Sequence, residues 1–276
     1  ILYRTASPWT GILFFLNPVS IAVTGYHIQF DNLAILLGLC GWMLFCRAKT
    51  LPLTLLATLT FGLSLSLKHV FSLFLGWLPF LASIRSLRAR LLFGGGALLV
   101  FVSSFSPWWS DEAAWAGIRL NVFGYVSTEG HSLTCNLASA LPGLPPRTLF
   151  ILLTVLSGAF IARRAPLHII APHVYLITLT ALSSGMARNY LAIPLVGVFL
   201  FRHSRFTIIY LCIATFCLVT VNAALGVSEV VGRVSTSGLI TYELAQAALI
   251  GLLLDVLSGR ATPTGLARRQ DLPRKP

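Results

Sequence analysis

The chain has 276 residues, 56% of them hydrophobic and only 10% charged, with a mean hydropathy of +0.84. A soluble domain carries roughly 25% charged residues, so the composition excludes one and predicts an integral membrane protein with many spans. The net charge of +12 does not point to nucleic acid: no basic stretch interleaves with aromatics, and basic excess in a multi-pass chain marks its cytoplasmic loops.

Hydropathy predicts apolar segments at 9–25, 30–46, 50–67, 70–84, 91–109, 147–162, 166–187, 189–201 and 241–257, with 206–226 as a tenth. The connectors between them alternate in charge. Arg4, Arg47, Lys49, Arg85, Arg88, Arg90, Arg163, Arg164, Arg202, Arg205 and the tail residues Arg260, Arg268, Arg269, Arg274 and Lys275 fall on one side. That side holds fifteen of the twenty Lys and Arg residues and is assigned to the cytoplasm. The opposite side takes Asp31, Asp111, Glu112, Glu129, Glu229 and Glu243, with only Lys68, Arg119, Arg147, Arg188 and Arg233 as cations. The expected fold is an all-α, polytopic transmembrane helical bundle of nine or ten spans over residues 1–260. An outer loop at 110–146 and a basic cytoplasmic tail at 261–276 complete it. Because the chain begins at Ile1 without a signal segment, the domain is expected to be incomplete at its N-terminus.

The first polar feature is His27-Ile28-Gln29-Phe30-Asp31-Asn32, set between two apolar runs. A hairpin turn needs polar residues, and Asp31 or Asn32 could cap the next helix. That reading leaves His27 and Gln29 unexplained, and ionisable groups at a bundle mouth are functional candidates. Segments 70–84 and 189–201 follow the pairs Lys68-His69 and Arg188-Asn189. At about 1.5 Å per residue they reach roughly 20 Å, short of a core of about 30 Å. With their basic ends held at Arg85 and Arg202, the outer tips would sit in a recess; local thinning of the bilayer is the alternative. Lys68 either snorkels or holds an anion such as phosphate as a point charge, while Arg188 would do so bidentately.

Loop 110–146, entered through Trp108 and Trp109, contains Trp115, Phe123 and Tyr125 and is too aromatic for a disordered linker. Its rings suit either an interfacial belt or stacking on a sugar. The five cysteines give no disulfide framework, and no metal-ligand spacing or phosphate-binding glycine loop occurs. His168 and His173 read as packing residues.

The stretches NPVSIAVTGYHIQFDNLAILLGL (17–39), SLSLKHVFSLFLGWLPF (64–80) and GMARNYLAIPLV (185–196) resemble corresponding segments of GT-C-fold glycosyltransferases that use polyprenyl-phosphate sugars. The first matches an Asn-Pro span ending in a His-x-Gln-aromatic-acid turn. The second matches a Lys before an aromatic helix ending in Pro, and the third a Tyr-Leu hairpin with a nearby Pro. The resemblance covers residues 10–200 or so. It implies a membrane hexosyltransferase whose site faces the extracytoplasmic side, with a polyprenyl-phosphate sugar as donor, a glycan or lipid as acceptor, and no cofactor or metal assigned. Such enzymes carry their usual catalytic carboxylate in the first outer loop, expected here upstream of Ile1. A His-Glu-Lys motif of eukaryotic members is replaced by Ala187-Arg188-Asn189, which favours a bacterial plasma-membrane relative.

On this reading Asp31 is the best carboxylate base present, with His27 orienting it or contacting the sugar. Gln29, His69, Glu129 and Tyr190 line the substrate, and Lys68, Arg119 and Arg188 stabilise the departing phosphate. The alternative is a transporter or flippase of lipid-linked sugars; against it, the sequence shows no convincing internal repeat.

Overall fold

The computed structural model describes residues 11–12, 14, 16–21, 31–123, 132–141, 143–164, 167–186, 188–221 and 235–263. Among them every regular element is helical and no strand occurs. In chain order the α-helices are α1 (Pro18–Ile21), α2 (Asp31–Arg47), α3 (Leu51–Leu67), α4 (Leu87–Ser103), α5 (Glu112–Ile118), α6 (Leu133–Ser139), α7 (Pro146–Ala162), α8 (Ala171–Leu182), α9 (Leu195–Val198), α10 (Arg205–Val221) and α11 (Ser235–Ser258).

Local chemistry accounts for many of their ends. Helix α2 opens on Asp31 and closes on Arg47, both favourable to the helix dipole. Pro52 lies in the first turn of α3, where no intrahelical N–H is needed. Ser86, Asp111 and Ser132 cap α4, α5 and α6, their side-chain oxygens accepting from the amides of Ala89, Ala114 and Cys135 at 3.3, 3.0 and 3.0 Å. Along α3, the hydroxyls of Thr54, Thr58, Thr60 and Ser66 donate to carbonyls four residues back. Its polar atoms are thus satisfied within the helix.

The two short segments depart from expectation. Residues 70–84 do not form an α-helix: 3₁₀ turns run over His69–Phe71 and Leu73–Phe80. Residues 189–201 are likewise built from the 3₁₀ turn Arg188–Leu191, the single turn α9 and the 3₁₀ turn Phe199–Phe201. Pro79 and Pro194 interrupt the regular ladder. Burial replaces regularity: Phe71, Phe74, Trp77 and Leu78 in the first, and every residue from Leu191 to Phe201 in the second, are buried. Among the described residues of 110–146, α5, a π turn at Arg119–Phe123 and α6 are helical.

The chain divides into two compact units. One comprises Phe30–Thr128 and Val155–Pro172. Its core is aromatic: Trp42, Phe45, Phe61, Phe71, Phe74, Trp77 and Phe93 are fully buried, and Phe45 stacks on Phe93 at 4.2 Å between centroids. The indole of Trp42 donates to the carbonyl of Ile169 at 3.0 Å. Glycines allow the close approaches. A Cβ on Gly41 would lie 2.8 Å from the Phe61 amide nitrogen, so only glycine lets α2 sit this near α3. His168 is buried as expected; its Nε2 donates to the Ala162 carbonyl at 2.9 Å and its Nδ1 accepts from the Ser83 hydroxyl.

Arg90 is the residue whose sequence assignment changes most. Counted above among cytoplasmic loop charges, it is 4% exposed inside α4. Its guanidinium donates to the carbonyls of Leu78 (2.6 Å), Pro79 (2.8 Å) and Arg85 (3.1 Å). It therefore reinforces the end of the 3₁₀ segment, adding a second donor to the Leu78 carbonyl, which also accepts from the Leu81 amide at 3.3 Å, and a donor to the Pro79 carbonyl.

The other unit comprises Ile1–Gln29, Glu129–Thr154 and His173–Pro276. Within it α10 packs along α11, with Gly251 against the Phe206 ring. The fully buried Tyr210 hydroxyl donates to the Leu191 carbonyl at 2.7 Å. Gln246, also fully buried, accepts from the Leu133 amide (2.9 Å) and donates to the carbonyls of Thr180 (3.2 Å) and Ser183 (3.0 Å).

Each unit carries a similar succession: an apolar helix, a basic residue after it, a partly buried irregular segment of 3₁₀ turns that contains a proline, a basic serine-containing corner, and a second apolar helix. In the first unit these are α3, Lys68, residues 69–80, Arg85-Ser86 and α4; in the second they are α8, Arg188, residues 188–201, Arg202-His203-Ser204 and α10. The outward faces are apolar in both. Leu51, Leu55, Leu59, Leu63 and Leu67 recur at every fourth position of α3 and are 45–70% exposed. Leu91, Leu92 and Leu99 on α4, Leu152, Leu156 and Phe160 on α7, and Ile208 and Phe216 on α10 are exposed too. By length and composition, Leu87–Trp108 is the one described stretch that meets the requirement for crossing a membrane, and Leu51–Leu67, Pro146–Ala162, Ala171–Leu182 and Arg205–Leu218 are shorter apolar helices.

Candidate functional site

The start of α2 and the end of α3 meet at one end of a helical hairpin. Asp31, the first residue of α2, is 1% exposed, and its carboxylate forms an ion pair with the Lys68 ammonium. Lys68 leaves the helix in an extended conformation (φ −160°, ψ 126°), which turns its side chain back over the hairpin. Its amide still donates to the Ser64 carbonyl at 3.1 Å, and the Val70 amide donates to the Lys68 carbonyl at 2.7 Å. One turn below, the buried Ser64 hydroxyl donates to the Ala34 carbonyl at 2.6 Å, fastening the two helices directly under the pair.

This geometry has a chemical consequence. The Asp31 carboxylate, at the first residue of α2, is engaged by the Lys68 ammonium, so its geometry suits holding that cation in place. The Lys68 side chain is 28% exposed, so its ammonium is oriented from below and reachable from above. Lysine carries three N–H donors, and the pair with Asp31 leaves donors for a second anion.

No family model, curated protein or solved structure matches this chain. The site therefore rests on its own residues.

Two of the sequence candidates, Asp31 and Lys68, are joined directly. His69 follows them, exposed, in the first 3₁₀ turn. Arg119 belongs to the same unit but lies in the π turn after α5, where it lines a groove with Trp109, Ser110, Glu112 and Trp115. Arg188 and Tyr190 belong to the other unit, in the 3₁₀ turn whose last carbonyl is held by Tyr210. His27, Gln29 and Glu129 lie outside the described residues.

Several residues of evident structural purpose were not singled out from the sequence. Gln246 was visible as an amide inside an otherwise apolar run, an expensive residue that demands partners. Asn136 donates to Glu243 at 2.8 Å, and the Cys135 thiol donates to the Ser184 carbonyl at 2.8 Å. Together with the bond from Thr134 to the Leu182 carbonyl (2.7 Å), these fasten α6 to the end of α8 and to Glu243 within α11. Such pairings span over forty residues of sequence, and no local pattern announces them.

Proposed function

We propose that the protein is a multi-pass membrane glycosyltransferase that transfers a hexose from a polyprenyl-phosphate donor to a glycan or lipid acceptor at the extracytoplasmic face. The observation that carries this reading is the Asp31–Lys68 pair: a fixed ammonium, oriented by a buried carboxylate, at the end of an apolar hairpin. Departure of the sugar leaves charge on a phosphate oxygen. A preoriented cation in a poorly hydrated setting lowers the energy of that charge without reorganising. Asp31 is then the partner that positions Lys68, and the proton acceptor for the acceptor hydroxyl is a separate group.

Membrane embedding is supported by the apolar outward faces of α3, α4, α7 and α10, which are far more extensive than the isolated patches of soluble monomers. The internally satisfied hydroxyls along α3 agree with it. Single cysteines introduced at Lys49 and Glu112 should react with membrane-impermeant maleimide from opposite sides; labelling of both from one side would overturn the topology.

The decisive assay follows hexose transfer from a radiolabelled polyprenyl-phosphate hexose in membranes containing the protein. Lys68→Met should lower transfer by at least about a hundredfold, in line with the loss of one transition-state charge contact. Arg188→Met tests the second cation suggested by the sequence. Full activity in both variants would remove the basis for this reading.

One observation favours a second reading. The similar succession around two proline-containing segments is the kind of feature that marks substrate paths in transporters, so a flippase of lipid-linked sugars is the competitor. Proteoliposomes loaded with the fluorescent lipid-linked sugar separate the two: translocation without any new glycosidic bond supports the flippase.

A further inference from the structure

Helix α5 presents an ordered stripe. Glu112, Trp115 and Arg119 are separated by three and four residues, a spacing that puts them on one helical face. Asp111 caps the helix and fixes where that face begins. At Arg119 the chain widens into a π turn, a distortion frequent at functional sites. With Trp109 and Ser110 from the preceding corner, these residues line an open groove of about 540 Å³, within the range of roughly 300–1,000 Å³ common for small-molecule sites.

Both charged groups are available. Glu112 and Arg119 are exposed, and among the described residues neither takes part in an ion pair. Trp109 is 53% exposed, although burying an indole is ordinarily favourable. The groove thus offers aromatic faces, a carboxylate, a guanidinium and a hydroxyl. A pyranose fits this combination: its C–H face stacks on an indole, its hydroxyls donate to the carboxylate, and its oxygens accept from the guanidinium fork. Charge decides between neutral and anionic ligands. Asp111 and Glu112 outweigh Arg119 locally, so a phosphate is disfavoured.

We propose that this groove binds a neutral sugar unit of the acceptor, a subsite separate in chemistry from the cationic corner at Lys68. The assignment rests on the glycosyltransferase reading for the word acceptor, but sugar binding itself is independent of it.

The test uses the whole protein in nanodiscs, titrated with maltose and with mannobiose as neutral probes and followed by saturation-transfer NMR. Binding is expected in the wild type, weakened about tenfold or more in Trp115→Ala. The near-isosteric Glu112→Gln keeps the fold, checked by an unchanged melting temperature, and should weaken binding as well. Lys68→Met should bind the probes like wild type. Wild-type protein that binds neither probe, or equal binding in Trp115→Ala and Glu112→Gln, overturns the proposal. So does quenching of the exposed indoles by brominated lipid that sugar does not relieve, because the rings are then membrane anchors. In the transfer assay, Trp115→Ala should raise the acceptor KM with little change in kcat. Sugar binding without any wild-type transfer defeats the enzymatic reading while sustaining the groove. Transfer with an unaltered acceptor KM in Trp115→Ala defeats the groove alone.

Discussion

Arg90 donates to the carbonyl oxygen of Leu78 at 2.6 Å from within the next helix, and the same nitrogen reaches the Pro79 carbonyl at 2.8 Å. A buried cation here closes a segment whose own last bond is the one from the Leu81 amide to the Leu78 carbonyl at 3.3 Å. Replacing it with methionine keeps the length of the side chain but removes the charged donor from both carbonyls, leaving Leu78 with the Leu81 amide. Charged hydrogen bonds contribute about 1.5–3 kcal/mol each, so Arg90→Met should cost about 2–4 kcal/mol and lower the melting temperature in detergent. Arg90→Lys should recover only part, because one ammonium lacks the span of the guanidinium fork. A melting temperature equal to wild type in Arg90→Met would show that the clamp is dispensable.

The Asp31–Lys68 pair is expected to behave as a coupled unit. Asp31→Asn strands the ammonium and Lys68→Met strands a buried carboxylate. Each should destabilise by about 1–3 kcal/mol, less than a fully buried pair because Lys68 remains 28% exposed. The double variant Asp31→Asn/Lys68→Met should be more stable than the sum of the single losses predicts. Additive losses in a double-mutant cycle by chemical denaturation would mean that the two charges do not depend on each other.

Glycine positions supply a matched contrast. A Cβ at Gly41 would lie 2.8 Å from the Phe61 backbone nitrogen and 3.0 Å from the Ala57 carbonyl, whereas one at Gly95 meets nothing within 4 Å. Gly41→Ala should therefore push α2 from α3 and cost about 1–3 kcal/mol. Gly95→Ala, on an exposed helical position, should be neutral or stabilising by up to about 1 kcal/mol. Equal melting temperatures for the two variants would refute the close-packing account.

Gln246 holds the first amide of α6 and two carbonyls at the C-terminal end of α8, one inside the helix at Thr180 and one just past it at Ser183. Gln246→Leu fills the space but satisfies none of them. The α6 fastening should loosen, and the Cys135 thiol, half-buried against Ser184, should react with maleimide about tenfold faster or more in a background without other cysteines. An unchanged labelling rate would show that α6 is held by its remaining contacts.

Much of the helical layout was legible because apolar runs have clear ends. The helices at 31–47, 51–67 and 146–162 start and stop within a few residues of the hydropathy boundaries, and the helix from Arg205 starts within one, since Pro52 and the basic corners punctuate the chain. Length alone marked segments 70–84 and 189–201 as unusual, but their 3₁₀ backbone was not legible. That outcome draws on Arg90 and Tyr210, which come later in the chain and supply side-chain donors to its carbonyls. The site shows the same division. Asp31 and Lys68 were separately conspicuous as charges beside apolar runs, yet their pairing requires the α2–α3 hairpin register set by Ser64, Gly38 and Gly41. The Glu112–Trp115–Arg119 stripe is not legible as a helix in the sequence because its helix is only seven residues long before the π turn.

The 3₁₀ segment at 69–80 bears on the order in which the chain can complete its hydrogen bonds. An α-helix such as α3 brings its own backbone bonds and is complete once it is made, but the Pro79 carbonyl at the end of the 3₁₀ segment takes its donor from a distant side chain. That side chain, Arg90, sits on α4, which is synthesised afterwards, and it reaches the Leu78 carbonyl as well. Residues 69–80 and α4 then reach their final form together, and a nascent chain that ends between Phe80 and Arg90 still lacks the group that closes the segment.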